Sequence, residues 1–357
     1  MFEFLHAPTK HSKEKKLQLW LGQSVRARVV SAEFDELKGQ PLMLSLGEAV
    51  HRPQYLQKIF SKPLKPQFGV DGPLMLDSGG FTMMTNPDGA LPIQTIADVY
   101  RDTDADLFIS LDFPPGFDET EQERSDKYRR TQENLEFLLQ ELGTEKLIPV
   151  VHGRTIDEVS ANIDVIKARS SSWAWVGVGG IVPLLRQKND SRLSDGRHAR
   201  EHVSSIVRQT KEAFPEHNVH AFGVGAPSTI LSLMALGVNS VDSIGWRSAA
   251  NFGTIYLPGR PARFPTKSGI KTRHTRPALT EAEIELLENC LCPICKHCSS
   301  VEERLAKLNS SYVPRAAHNA WVVLSEVRSL ESAIASGEHH HFLSSRLPSH
   351  WFSLLNL

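Results

Sequence analysis

Short apolar runs that stop at Gly, Asp or Pro alternate along this chain with longer stretches in which apolar positions recur every three or four residues. The runs are Pro41 to Leu46, Leu74 to Asp77, Asp106 to Asp112, Leu147 to Gly153, Trp173 to Gly180, His220 to Gly225 and Ser240 to Ile244, with Val25 to Val30 a weaker candidate. The helical stretches include Glu121 to Leu142, Thr155 to Ala168, Arg197 to Ala213 and Ser228 to Leu236. A continuous apolar run reads as a strand buried on both faces, and such strands separated by amphipathic helices read as a parallel sheet covered by helices. About eight such units in roughly 250 residues fit a closed (β/α)8 barrel better than an open sheet. The expected fold class is therefore α/β, a TIM barrel over residues 1–280 with a small appendage over 281–357.

Composition narrows the class. The chain has 357 residues, 40% of them hydrophobic and 23% charged, with a formal net charge of -1. That is the make-up of a globular protein and excludes disordered and fibrous chains. The opening stretch MFEFLHAPTKHSKEKKLQLW lacks the unbroken apolar centre of a signal peptide, and no later run has the length of a bilayer span. A cytoplasmic protein with no membrane partner is the expectation.

All four cysteines, Cys290, Cys292, Cys295 and Cys298, fall within nine residues. In a reducing compartment such a cluster holds metal more readily than disulfides. Cys290-x-Cys292-x2-Cys295, followed by His318 in a helical stretch (Ala316 to Ala333), has the donor set of a tetrahedral structural Zn2+ site. Cys298 leaves an all-thiolate or iron–sulfur reading open, although four ligands in nine residues are cramped around one ion. On the first reading the appendage is a zinc-binding helical subdomain packed on the barrel.

In a barrel of this kind chemistry gathers at the C-terminal ends of the strands. Those ends carry Asp77 before Ser78-Gly79-Gly80-Phe81, Asp112, His152, Gly179-Gly180, Phe222-Gly223 and Asp242. Three carboxylates at one mouth repel one another, raising the pKa of one while another stays ionised, as a proton shuttle and a nucleophile require. A single strand-end carboxylate is as often a helix cap or a loop ion pair, so the argument rests on the three together. Between Ser243 and Thr280 there is no Asp or Glu, while Arg247, Arg260, Arg263, Lys267, Lys271, Arg273 and Arg276 are basic. A positive segment beside the mouth of a near-neutral chain suits phosphate contacts on one face.

LMLDSGGF, FISLD, VVHGR, VGVGG, HAFGVGAP, LGVNSVDS and the C-x-C-x2-C…His-Asn ending occur in the order found in the tRNA-guanine transglycosylase superfamily, which the chain resembles from about residue 40 to 345. The resemblance implies a (β/α)8 barrel with a zinc subdomain that exchanges guanine in a polynucleotide for a 7-deazaguanine without cutting the strand. It implies Asp242 as the nucleophile and Asp77 as the general acid and base. It further implies Asp112, Ser78 and the amides of Gly179 and Gly180 on the purine edge, with Phe81 and Phe222 stacking on the base beside Gly223. His152 stands where the bacterial tRNA enzymes have glutamine. Cys290, Cys292, Cys295 and His318 match the family's metal ligands, with Cys298 spare. After Asp242 the chain reads Ser243-Ile-Gly-Trp246-Arg247 in place of the tRNA enzymes' Pro-Thr-Arg element, and no archaeal-type RNA-binding module is expected. The text is more similar to the DNA-guanine transglycosylase branch. DNA is therefore the expected polymer, with a preQ0-like base as the incoming group; the alternatives are action on tRNA and a non-catalytic nucleic-acid-binding paralogue. A homodimer through the zinc region and an ATPase partner that opens the duplex complete the expectations.

Overall fold

The computed structural model describes residues 16–48, 63–80, 82, 91–187, 191–193, 196–267 and 277–355. Among them, nine parallel strands share one sheet in the order β5-β4-β3-β2-β1-β9-β8-β7-β6. They are β1 (Gln18–Gln23), β2 (Leu42–Ser45), β3 (Leu74–Asp77), β4 (Leu107–Ile109), β5 (Leu147–Ile148), β6 (Val150–Val151), β7 (Trp175–Val178), β8 (Asn218–Ala221) and β9 (Ser240–Ser243). β5 and β6 are halves of one segment interrupted by Pro149, which has no N–H to give to a ladder. β5 pairs with β4 through Leu147 and Phe108, and β6 pairs with β7 through Val150 and Gly177. The Pro149 carbonyl accepts the Gly177 N–H at 2.8 Å. Counted together, the halves make eight strands and close the sheet, as the periodicity leads one to expect.

The first strand is Gln18–Gln23 and not Val25 to Val30. Leu19, Trp20 and Leu21 are buried on both faces. Arg26 and Arg28 break up the later run, which ends in a 3-10 turn at Val30–Glu33. β1 sits between β2 and β9, with Gln18 opposite Ser240 and Trp20 opposite Asp242.

The covering helices start where their caps dictate. Helix Glu121–Leu142 opens on Thr120, whose side chain accepts the Glu123 N–H while Glu123 accepts the Thr120 N–H. Thr155 and Glu158 open Ile156–Arg169 in the same way, satisfying N–H groups that have no partner inside the helix. Helices Ala199–Ala213 and Pro227–Ala235 lie within two residues of their expected limits.

Trp20, Met75, Leu107, Ile109, Ile148 and Val150 fill the inside of the barrel. A second small core of Ile255, Leu257, Leu279, Leu287, Cys292, Cys295, Leu305 and Leu308 adjoins a three-stranded sheet of β10 (Ile255–Leu257), β11 (Arg260–Lys267) and β12 (Ala278–Leu279). Helix Tyr312–Ala335 then returns to the main core through Ala316, Ala320, Val323, Val327 and Leu330. Burial therefore divides the chain differently from a cut at residue 280. No helix among the described residues is long and apolar enough to cross a membrane.

Candidate active site and metal centre

Side chains alternate along a strand, so Asp77 lies on the same side of β3 as Met75, and Ser45 on the same side of β2 as Met43. Met75 belongs to the interior layer and Met43 packs against it, which turns Ser45 and Asp77 toward the barrel axis at the strand ends. The two are register partners, and Ser45 Oγ donates to Asp77 Oδ2 at 2.6 Å. Burial pushes the Asp77 carboxyl from its ordinary 3.8 up to about 6, and the charges of Asp112 and then Asp242 add to the rise. The bonds from Ser45 and the Gly79 N–H pull the other way without cancelling it. A carboxyl at about 6 can give and take a proton near neutral pH. Ser45 has no motif of its own in the sequence; its place comes from ending the strand beside LMLD, in register with Asp77.

Ser78 is fully buried and its Oγ lies 3.4 Å from the Ser110 carbonyl, so it braces the loop after β4. Gly80 makes room for that loop: a Cβ there would meet the Asp112 carbonyl oxygen at 1.9 Å. Asp112 keeps a side-chain exposure of 14%, and the buried His152 places Nε2 3.0 Å from its Oδ2. The alignment does not make a hydrogen bond, and among the described residues both buried His152 ring nitrogens lack a hydrogen-bond partner. A Cβ on Gly179 would sit 2.6 Å from His152 Cε1, so the glycine leaves space for the imidazole. The Gly179 N–H donates to the Val151 carbonyl at 3.0 Å. It is held in the sheet ladder and does not face a ligand, which corrects the expectation for that amide. Gly180, at φ +67, leaves the strand. Arg154, the last residue of VVHGR, is buried and donates to the Pro115 and Gly116 carbonyls just beyond Asp112.

Asp242 is 3% exposed. Among the described residues both hydrogen bonds to its carboxylate fall on Oδ1, from the Gly223 N–H at 2.7 Å and from His220 Nε2 at 3.3 Å. Gly223 aims its N–H this way at φ +73, a conformation open to glycine and costly for other residues. Phe222 is half-buried, with its ring 4.5 Å from the His220 ring and directly over Gly177. Phe81 lies outside the described residues.

Among its described residues the basic segment does not form an open cationic strip. Arg247 is buried, and its Nε donates to the Tyr312 hydroxyl at 3.1 Å. Arg263 Nε reaches both oxygens of the buried Glu283, at 2.8 and 3.0 Å. Lys267 pairs with Glu302 at 2.7 Å. Arg260 is exposed on β11. Lys271, Arg273 and Arg276 lie outside the described residues. Arg247 and Arg263 are thus structural side chains here, contrary to the expectation that they face phosphate.

The second cluster is of another kind. One donor atom each from Cys290, Cys292, Cys295 and His318 lies within 4.8 Å of every other. His318 Nδ1 is 3.6, 3.3 and 3.9 Å from the three sulfurs in turn. A tetrahedral ion with bonds of about 2.3 Å to sulfur and about 2.0 Å to nitrogen would set that edge near 3.5 Å. The tautomer fits as well: His318 Nε2 lies 2.8 Å from the Tyr256 carbonyl, which can only accept, so Nδ1 is left with its lone pair toward the sulfurs. The residues therefore suit a metal ion. Cys298 stands outside the group, its Sγ bonded to the Ile294 carbonyl.

The profile of the family described as "Queuine tRNA-ribosyltransferase" matches residues 27–351. Similar curated proteins are named "tRNA-guanine(15) transglycosylase". The one from Methanosarcina mazei is 24% identical over 314 residues, 87% of this chain and 58% of the relative. That from Haloarcula marismortui is 24% identical over 344 residues, 92% and 61%; that from Pyrococcus abyssi is 22% identical over 323 residues, 90% and 50%. The chain spans about half to three-fifths of the length of these relatives. Their names are those of tRNA enzymes, and what they share with this chain is the superfamily of the resemblance. A match over nearly the whole barrel and the metal centre, in a fold that brings the motif carboxylates to one mouth, places the chain in the queuine tRNA-ribosyltransferase family.

Proposed function

We propose that this chain is a guanine transglycosylase that exchanges a guanine in tRNA for a 7-deazaguanine through a covalent ester on Asp242. The observation that carries the reading is the contrast between two carboxylates at one mouth. Asp77 is pushed to about 6, and Asp242 is held by two donors on a single oxygen. Asp242 Oδ2 forms a bond to C1′ while the bond from C1′ to guanine breaks, and the electron pair leaves with the base. Protonated Asp77 supplies the proton that neutralises the departing guanine. The incoming base returns a proton to Asp77 and displaces Asp242, in the two-step manner of a retaining glycosidase. Asp112 and His152 would read the purine edge, with Phe222 against its face.

Transfer-RNA is the favoured polymer because the curated relatives carry that name. DNA is the second reading, supported by the Ser243-Ile-Gly-Trp246-Arg247 text. The metal held by Cys290, Cys292, Cys295 and His318 is proposed to be Zn2+. When bound it supplies a tetrahedral cross-link, away from the transferred base. Incorporation of labelled guanine into unmodified tRNA and into duplex DNA, run in parallel, tests the reading. Exchange on tRNA with a denaturant-resistant adduct is expected; exchange on DNA alone would select the second reading, and no exchange on either would sink the proposal.

A further inference from the structure

The alternation that turns Asp242 inward also turns in Ser240, two residues earlier, and the register sets His220 of β8 and Trp20 of β1 on either side. His220 is the partner of Ser240, and Trp20 of Asp242. Trp20, His220 and Ser240 are all buried. Trp20 Nε1 donates to Ser240 Oγ at 2.8 Å. His220 Nδ1 lies 2.8 Å from the same oxygen, and His220 Nε2 lies 3.3 Å from Asp242 Oδ1.

The directions of these bonds follow from chemistry. The indole can only donate, and a carboxylate can only accept. A neutral imidazole protonated on Nδ1 would turn the Nε2 lone pair on Asp242, so Nε2 must carry a proton. The Ser240 hydroxyl, already accepting from Trp20, then has its proton free for Nδ1. The line runs one way, from Trp20 through Ser240 and His220 to Asp242, and each donor has an acceptor.

We infer that His220 is the positioning residue for the nucleophile, with its tautomer fixed by Ser240 and Trp20. The inference rests on the reading of Asp242 given above. Together with the Gly223 N–H, His220 fixes the carboxylate plane and leaves Oδ2 to attack. When Oδ2 bonds to C1′, Oδ1 becomes the ester carbonyl and keeps both donors. The bond exchange therefore needs no rearrangement of the site, the condition under which fixed donors help most. His220 does not touch the sugar. Its effect belongs in the rate of ester formation and not in polymer binding.

Single-turnover formation of the denaturant-resistant adduct on unmodified tRNA, with KM for tRNA measured beside it, provides the test. His220→Phe removes both ring nitrogens and should slow adduct formation about 10- to 100-fold, the effect of losing one charge-assisted donor, with KM changed less than twofold. His220→Gln can place an amide N–H near Nε2 and should recover most of the rate; His220→Asn, too short to reach, should not. Ser240→Ala should show a smaller loss of the same kind. Adduct formation by His220→Phe at the wild-type rate would overturn the inference, as would equal losses in the Gln and Asn variants. That last comparison stands even where melting shows the Phe variant to be unfolded. An absent adduct in the wild-type protein on both tRNA and DNA would instead sink the proposed function, and this inference with it.

Discussion

The barrel mouth and the metal centre each crowd groups that tend to the same charge, and they meet the problem in opposite ways. At the mouth, Asp77, Asp112 and Asp242 are left facing one another, and one of them takes up a proton at an unusually high pH. At the metal centre, three sulfurs and an imidazole turn inward on one point where a cation can satisfy all four. The first arrangement keeps an electrostatic imbalance available for chemistry; the second removes it to hold a small core together. Among the described residues the second core has Cys292 and Cys295 among its eight buried side chains, a size at which a cross-link adds most to stability.

The comparison can be broken most forcefully at the metal. Stripping it with a chelator, or replacing Cys292 with Ser, should unfold the small core. Structural zinc contributes on the order of 10 kcal/mol of folding free energy in small domains. Cooperative loss of β10–β12 protection in hydrogen exchange would register this, and unchanged protection would refute it. Asp242→Asn should abolish the denaturant-resistant adduct, a loss of at least about 10³-fold, with the melting temperature within a few degrees of the parent.

Asp77→Asn sharpens the contrast because activity and stability should move apart. Exchange should fall about 10²- to 10⁴-fold. The folded carboxyl sits near 6, above its ordinary 3.8, so the folded state binds this proton more tightly than the unfolded chain does. Its contribution to stability is complete below about 3.8 and is lost as pH rises through about 6. At pH 7 the neutral amide escapes that cost, and the variant should be more stable by up to about 2–3 kcal/mol in urea titration. On the proposed mechanism the adduct-forming step of the parent protein needs protonated Asp77, so its rate should fall about tenfold per pH unit above about 6. A flat single-turnover profile from pH 6 to 8 would remove Asp77 from the acid role. Smallest of all, Lys267→Ala opens an exposed pair with Glu302 and should leave the urea midpoint within experimental error of the parent, since solvent screens such a pair.

The barrel, its strand ends and the four metal donors were legible because each leaves a local mark: an apolar run with a terminal Asp or Gly, or a Cys spacing. The unread parts are set by register between distant strands. β1 was missed because its burial comes from pairing with β9, more than 200 residues away, and not from its own alternation. Ser45 and His220 were missed for the same reason, since each matters through a neighbour across the sheet. Arg247 and Arg263 misled because residue type gives charge but not direction; Tyr312 and Glu283 turn both inward. Glu283 binds Arg263 while it also closes the Thr280 cap of helix Glu281–Glu288.

Two adjacent side chains on one helix tie the two regions into a single order of assembly. His318 binds the Tyr256 carbonyl while Asn319 accepts the Tyr256 N–H at 2.7 Å and donates to the Trp246 and Thr254 carbonyls at 3.1 Å. Trp246 lies four residues beyond Asp242. The segment that follows the proposed nucleophile is thus moored to the helix Tyr312–Ala335, and during synthesis it can settle only after the metal ligands have left the ribosome. We predict that adduct competence on refolding trails zinc uptake; competence that arrived first would show the mooring to be dispensable. On this account the protein makes its reactive carboxylate last, once the rest of the molecule is already in place around it.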